Sequence, residues 1–75
     1  MIKTFLEEKK VSEQCSLNTY ITYDEENYVL EINYLDGKFV AEKQFSNSIN
    51  GVARMEETIS QIKNENDVKR YFGII

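Results

Sequence analysis

The side chains of this 75-residue chain that could run acid–base or metal chemistry are its carboxylates, since Asp and Glu number 13. The chain has no histidine and one cysteine, so a hydrolase triad in its common form and the usual zinc sites are excluded. Cys15 has no basic neighbour in sequence that would lower its thiol pKa, and we expect it to be a small buried hydrophobe. Any acid–base or metal chemistry would therefore depend on aspartate and glutamate.

The acidic residues do not form a catalytic or metal-binding pattern. The segment "YDEENY" places Asp24, Glu25 and Glu26 in a row, but it lacks the regularly spaced oxygen ligands and the glycine of a calcium loop. The three glycines are too scattered to form a phosphate-binding loop. We therefore predict that the protein is not an enzyme and uses no metal or cofactor.

The charge balance fits either a solvated acidic surface or a surface that meets a basic partner. The formal net charge is −4 and the chain has only two arginines, whereas direct nucleic-acid binding relies on clustered cations. No secretion signal is visible, and no apolar run approaches the roughly 20 residues that span a bilayer. A lone cysteine forms no internal disulfide, so we expect a cytoplasmic protein without membrane contact.

Hydrophobic periodicity predicts the elements that must position these residues. Ile2, Phe5, Leu6 and Lys9 recur at helical spacing and predict a short N-terminal helix. From residue 16 the period changes to two, which predicts strands over residues 16–23, 28–35 and 38–45. The acidic loop 24–27 would join the first two strands, and Asp36-Gly37, a strong type I′ hairpin signal, would join the next two.

Two further helical segments follow the strands. Ser46 or Ser48 can cap a helix with an apolar stripe formed by Ile49, Val52, Met55, Ile59 and Ile62. Asp67 can cap a final short turn that ends at Gly73. The sequence thus predicts one α+β domain, residues 1–75, with two layers. A three-stranded antiparallel meander would be packed on one face by helices, in the order α-β-β-β-α-α.

Turn length predicts the strand registers. A two-residue turn at Asp36-Gly37 pairs Ile32 with Ala41 and Tyr34 with Phe39, and a four-residue loop at 24–27 pairs Ile21 with Leu30. Both registers place the apolar sets on one face, as expected for a half-buried sheet. That face would meet the 49–62 helix through Tyr28, Leu30, Ile32, Tyr34, Phe39 and Phe45.

The opposite face of the sheet would carry a middle row of Tyr20, Glu31 and Glu42. Two like charges directly opposite in a sheet are unfavourable by roughly 0.2–1 kcal/mol. The pair is either an accident of a solvated surface or a patch whose compensating cations lie on a partner. Tyr20 belongs to a residue type that is enriched at binding sites.

Two apolar features could serve self-association. The first strand carries no charge between residues 16 and 23, so its edge could accept an added strand if nothing covers it. The C-terminal tail "YFGII" is very apolar, and its large side chains either close the core or contact a second copy. These side chains are Tyr71, Phe72, Ile74 and Ile75.

The predicted architecture resembles that of some small phage-encoded inhibitors of CRISPR nucleases. The shared features are a short N-terminal helix, a meander with an Asp-Gly turn in "YLDGKF", an acidic surface and closing helices. The resemblance implies an acidic surface that occupies a site meant for DNA. The absence of proline, tryptophan and histidine, with abundant Asn, Ile, Lys, Glu and Tyr, also fits an AT-rich source such as a phage or mobile element.

The leading hypothesis is a small acidic, non-enzymatic binding protein that occupies or inhibits a basic site on another protein, for example a nucleic-acid-binding site. The candidate partner-binding residues are Tyr20, Glu31 and Glu42 on the sheet and Asp24, Glu25 and Glu26 in the loop. The alternative is a self-associating structural or accessory protein that dimerises through the sheet edge or the apolar tail.

Overall fold

An open antiparallel sheet is followed by two helices, in the α+β class that the sequence predicts. The structure, a computed structural model, describes residues 2–34 and 39–73. The strands pair in chain order, and there are four of them in the described residues rather than the three predicted. The elements are β1 (Lys3–Lys10), β2 (Cys15–Thr22), β3 (Asn27–Tyr34), β4 (Phe39–Ser46), α1 (Ile49–Gln61) and α2 (Glu65–Phe72).

The predicted N-terminal helix is wrong, because this segment is strand β1. It pairs antiparallel with β2 from Lys3, opposite Thr22, to Lys10, opposite Ser16. A β-bulge between Phe5 and Glu7 inserts one extra residue and shifts the alternation of side chains by one. The apolar residues Phe5 and Leu6 are therefore adjacent at the bulge, and together with Ile2 they give the spacing expected of a helix. The order is thus β-β-β-β-α-α, and the sheet has one more strand than predicted.

The register of β3 with β4 is confirmed through most of its length. Ile32 lies opposite Ala41 and Glu31 lies opposite Glu42, as the two-residue turn predicts. Toward the turn an irregularity places Phe39 opposite Asn33 rather than opposite Tyr34. The predicted Asp36-Gly37 turn itself lies outside the described residues.

The register of β2 with β3 differs from the prediction by two residues. Ile21 lies opposite Tyr28 rather than Leu30, because the connecting four-residue loop is 23–26 and not 24–27. A shift of two keeps every side chain on its predicted face, since the period of a strand is two. It does move Tyr20, which lies opposite Val29 and not opposite Glu31.

The helices cover one face of the sheet and enclose the core. Leu30 and Ile32 are fully buried, and Tyr28 and Phe45 pack partly buried against the core, as predicted. For Tyr34 and Phe39, which were also predicted to face the helix, the structure describes the backbone alone. Burial of Cys15 is confirmed, and its desolvation, followed by the charge of Glu65, raises the pKa of the thiol. The buried cluster consists of Val11, Cys15, Leu17, Leu30, Ile32, Met55, Ile62 and Val68.

The helix ends follow the capping rules, with two corrections. Ser48 caps α1 by accepting a hydrogen bond from the Gly51 amide at 3.1 Å, but Ile49 of the predicted stripe is 90% exposed. Asn64, and not Asp67, caps α2, since its side chain accepts from the Asp67 amide. Gly73 ends α2 in the left-handed conformation, as predicted. Neither helix has the length and apolar character needed to cross a bilayer, judged over the described residues.

Candidate protein-binding surfaces

The outer face of the sheet, which the helices leave uncovered, contains an ion pair. Lys3 on β1 reaches across β2 and donates to Oε2 of Glu31 on β3, while Asn33 Nδ2 donates to Oε1 at 3.0 Å. The Lys3 ammonium also lies 4.7 Å from the centroid of the Tyr20 ring, against which Phe5 packs edge-on. Glu31 therefore has its compensating cation within the same chain.

The ionisation of Lys3 and Glu31 reflects this contact. The hydrogen bond to Glu31 raises the pKa of Lys3, and this outweighs the opposing effect of burial. Burial alone would raise the pKa of Glu31, but the hydrogen bonds from Lys3 and Asn33 and the attraction of the Lys3 charge outweigh it. The pKa of Glu31 therefore lies below its ordinary value. Both groups are charged at neutral pH.

The predicted row on the sheet is brought together only in part. Glu31 and Glu42 are direct neighbours on β3 and β4, but Tyr20 lies in the next row and packs with Phe5 and Lys3. Glu42 is exposed, whereas the side chain of Glu31 is only 14% exposed. A role for these three residues in partner binding stays a prediction, with only Glu42 freely accessible as an acid.

The ion pair makes a testable pH prediction. A carboxyl whose pKa is lowered by folding stabilises the fold above its unfolded pKa of about 4.5, and this contribution is lost as pH falls through the folded value. We expect Glu31→Gln to lower the free energy of unfolding by about 1 kcal/mol at pH 7. The deficit should shrink toward zero at pH 3, as measured by urea denaturation.

A matched control for this prediction is Glu42→Gln. Glu42 lies directly opposite Glu31 but makes no ion pair among the described residues, so its replacement should leave stability unchanged or slightly higher. An equal deficit for Glu31→Gln at pH 7 and pH 3 would show that its charge contributes nothing.

The β2–β3 loop, residues 23–26, presents its three carboxylates on an ordered backbone. Asp24 Oδ1 accepts hydrogen bonds from Thr22 Oγ1 at 2.6 Å and from the Glu26 amide at 3.1 Å. These two bonds, the Thr22 hydroxyl first, hold the pKa of Asp24 below its ordinary value. Glu25 takes a left-handed conformation with φ 58°, which turns the chain between the two strands.

A side chain from the β4–α1 connection braces the loop from the other side. The Asn47 backbone amide donates to the Glu26 carbonyl and its Nδ2 donates to the Glu25 carbonyl, both at 2.8 Å. Within residues 2–34 and 39–73, no Lys or Arg forms an ion pair with Asp24, Glu25 or Glu26. The loop thus offers negative charge, without an ion-pair partner in the described residues, on a preorganised backbone.

Two exposed apolar side chains that the sequence analysis did not single out lie beside this loop. Tyr23 is 80% exposed and Ile2 is 73% exposed, and the Tyr23 amide donates to the Ile2 carbonyl at 3.0 Å. With Thr22, Asp24 and Asn27 they line an open cleft of about 350 Å³. The signal that could have found Tyr23 is its position directly before three acids, where a loop can begin one residue earlier.

The surfaces proposed for self-association are altered by the fold. β2 is paired on both sides, by β1 and β3, so the predicted accepting edge at residues 16–23 does not exist. The edge strands of the described sheet are β1 and β4. On β1 the bulge and the charged residues discourage strand addition. Tyr71 and Phe72 are partly buried against the core, and Ile74 and Ile75 lie outside the described residues.

No protein family, no curated protein and no solved structure matches this chain significantly. The resemblance to phage-encoded inhibitors loses one shared feature, because the N-terminal helix is a strand. In the part of the chain that the structure describes, no three His, Cys, Asp or Glu side chains are grouped to hold a metal ion. The function must therefore be inferred from the loop and the surfaces around it.

Proposed function

We propose that this chain is a small non-enzymatic binding protein that occupies a basic site on another protein through its β2–β3 loop. The observation that carries the proposal is the set of three adjacent carboxylates, Asp24, Glu25 and Glu26, held on a braced backbone without a compensating cation in the described residues. A preorganised charged loop loses little conformational entropy when it binds. The outer sheet face fits this role less well, because Glu31 is already paired with Lys3.

The class of partner follows from charge. Carboxylates attract the same lysine and arginine side chains that neutralise phosphates, so a nucleic-acid-binding protein is the kind of partner that the loop suits. The net charge of −4 supports attraction over distance as well as in contact. The proposal includes action in a reducing cytoplasm, where the buried thiol of Cys15 stays free, and an origin in a phage or mobile element.

The proposal predicts selective capture of a basic protein. The immobilised full chain is exposed to extract of its source cells, beside two variants with equal net charge. One is the loop variant Glu25→Gln/Glu26→Gln, and the other is the helix variant Glu56→Gln/Glu57→Gln. We expect the wild type and the helix variant to retain the same basic protein, and the loop variant to lose it. Retention should fall with rising salt, because exposed charges are screened.

Competition separates the proposed partner class from other basic proteins. A DNA or RNA oligonucleotide added to the extract should release the captured protein if the loop occupies a nucleic-acid-binding site. Retention that is equal for both variants, or that is insensitive to salt, would contradict the proposal. If salt releases the captured protein but the oligonucleotide does not, the loop binds a basic site, and that site is not one that binds nucleic acid.

Self-association remains the second candidate, and one observation favours it. Phe5 and Leu6 on the free-edge strand β1 are 50% and 48% exposed. We nevertheless expect a monomer, because the bulge and the neighbouring Glu7 and Glu8 interrupt a regular, apolar edge. Light scattering over a dilution series at physiological salt checks this. A dimer that dissociates on dilution and disappears in Leu6→Ser would contradict the monomer and establish β1 as the interface.

A further inference from the structure

We propose that the cleft between Ile2 and Tyr23 binds an arginine side chain of the partner. This inference rests on the proposed function and names the group that the loop recognises. The cleft is lined by Ile2, Thr22, Tyr23, Asp24 and Asn27 and has a volume of about 350 Å³. It combines apolar walls with one ionised carboxylate, which is the combination that suits a cation carried on an apolar stem.

The apolar walls are held together by the backbone. The hydrogen bond from the Tyr23 amide to the Ile2 carbonyl extends the β1–β2 pairing beyond the first residue of β1 and the last residue of β2. Both side chains therefore lie at the same end of the sheet. The Tyr23 ring takes part in no aromatic pair and no cation–π contact within the described residues, where Tyr20 makes both kinds. The face of this exposed ring is open to a planar cation.

The carboxylate of Asp24 is held in place through one of its two oxygens. The hydrogen bonds that it accepts from Thr22 Oγ1 and from the Glu26 amide both go to Oδ1. No other residue in the described part of the chain donates a hydrogen bond to Oδ2. The loop thus orients the group and leaves one charged oxygen for a ligand. A partner donor at Oδ2 would complete the hydrogen bonding without displacing the bonds that hold the loop.

Several alternative ligands fit this cleft less well. An anion would be repelled by Asp24, Glu25 and Glu26. A lysine ammonium is compact and strongly hydrated, whereas a guanidinium is planar, stacks on aromatic rings and donates along two directions at once. Arginine can therefore contact the Tyr23 ring and the Asp24 carboxylate together. The partner would present this arginine at the edge of its basic site, with further cations facing Glu25 and Glu26.

The test is an amide NMR titration of the full chain with N-acetyl-arginine amide as the probe. We expect saturable shifts at Ile2, Tyr23, Asp24 and Asn27, with a dissociation constant in the millimolar range because the ligand is a single side chain. The matched control is N-acetyl-citrulline amide, which has nearly the same shape without the charge and should give no saturable shifts. N-acetyl-lysine amide should bind at least about threefold more weakly.

Two variants locate the contacts. Asp24→Asn keeps an acceptor oxygen for the two loop hydrogen bonds and removes the charge, so the loop should stay ordered while affinity falls about fivefold. Tyr23→Ala should reduce affinity by about two- to fivefold through loss of the ring. Glu56→Gln, on α1, should leave the titration unchanged. Shifts that citrulline reproduces, or that survive both cleft variants, would overturn the proposal.

The same variants separate this inference from the proposed function. If the loop variant Glu25→Gln/Glu26→Gln loses the captured protein but Tyr23→Ala and Asp24→Asn retain it with wild-type affinity, the acidic loop is the binding surface and the arginine cleft is wrong. If neither the loop nor the cleft variants change capture, the proposed function fails as well. Loss of capture in all three variants supports both.

Discussion

Ile32→Ala is expected to destabilise the protein by about 2–5 kcal/mol. Ile32 on β3 is completely buried, and its strand neighbours on the helix-covered face are Leu17 and Ala41. Truncation removes three carbons from the centre of a small core and leaves a cavity that the paired strands cannot close. Domains of this size have a free energy of unfolding of about 5–15 kcal/mol, so a large part of the total would be lost. Urea denaturation measures the effect.

The matched control for this prediction is Ile49→Ala. Ile49 is 90% exposed at the start of α1, so the same truncation there should change stability by less than about 0.5 kcal/mol. The contrast is informative because the sequence placed both isoleucines on apolar faces. Equal effects at the two sites would contradict the described core.

Gly51→Ala is expected to be the second large effect, of about 3 kcal/mol or more. A Cβ at this position would lie 2.1 Å from the backbone carbonyl oxygen of Ser46, far inside contact distance. Alanine is favoured over glycine within a helix by about 1 kcal/mol, but this gain is smaller than the cost of moving the end of β4 away from α1. The steric term therefore decides the sign. Thermal or urea unfolding checks it.

Gly73→Ala serves as a control with a different mechanism. A Cβ at Gly73 would meet no atom of the described residues within 4 Å, but the φ of 70° is unfavourable for alanine. We expect a loss of about 1 kcal/mol, the usual cost of a left-handed conformation without glycine. A neutral or stabilising Gly51→Ala would contradict the close approach of α1 to β4.

The sequence predicted the central part of the fold because local rules and burial agree there. Alternation with a period of two identified β2, β3 and β4, and the same alternation fixed which side chains face the helices. The β2–β3 register was wrong by two residues, yet Leu30 and Ile32 are buried as predicted, since a shift of two preserves the faces. Capping residues located the start of α1 and the end of α2.

The missed strand β1 and the missed Lys3–Glu31 ion pair share one physical cause, the bulge in β1. A single inserted residue converted the alternation of the strand into an apparent helical pattern around Phe5 and Leu6. Once Lys3 was assigned to a helix, its contact with Glu31, 28 residues away and across an intervening strand, could not be foreseen. For this reason the sheet face looked like a site that lacked its cations.

The loop illustrates the limit of turn-length arguments. Residues 23–26 and residues 24–27 are equally good four-residue loops by sequence, and the choice depends on side-chain hydrogen bonds. The Thr22 hydroxyl bonds to the Asp24 carboxylate and Asn47 braces the loop from the far end of β4. The Asn47 contact joins residues that are far apart in sequence, so the sequence alone does not reveal it. With these contacts Tyr23 belongs to the loop and not to the predicted strand, and its side chain lies exposed beside the acidic residues.

The central claim is that the β2–β3 loop is the surface that binds a basic partner. The most direct test is calorimetry, which measures the affinity of this chain for the captured protein at two salt concentrations. The loop variant Glu25→Gln/Glu26→Gln and the helix variant Glu56→Gln/Glu57→Gln carry the same net charge, so any difference between them reports position and not total charge. The loop variant should bind about tenfold more weakly or worse at low salt, and the helix variant within about twofold of wild type. Equal affinities for the two variants would contradict the account.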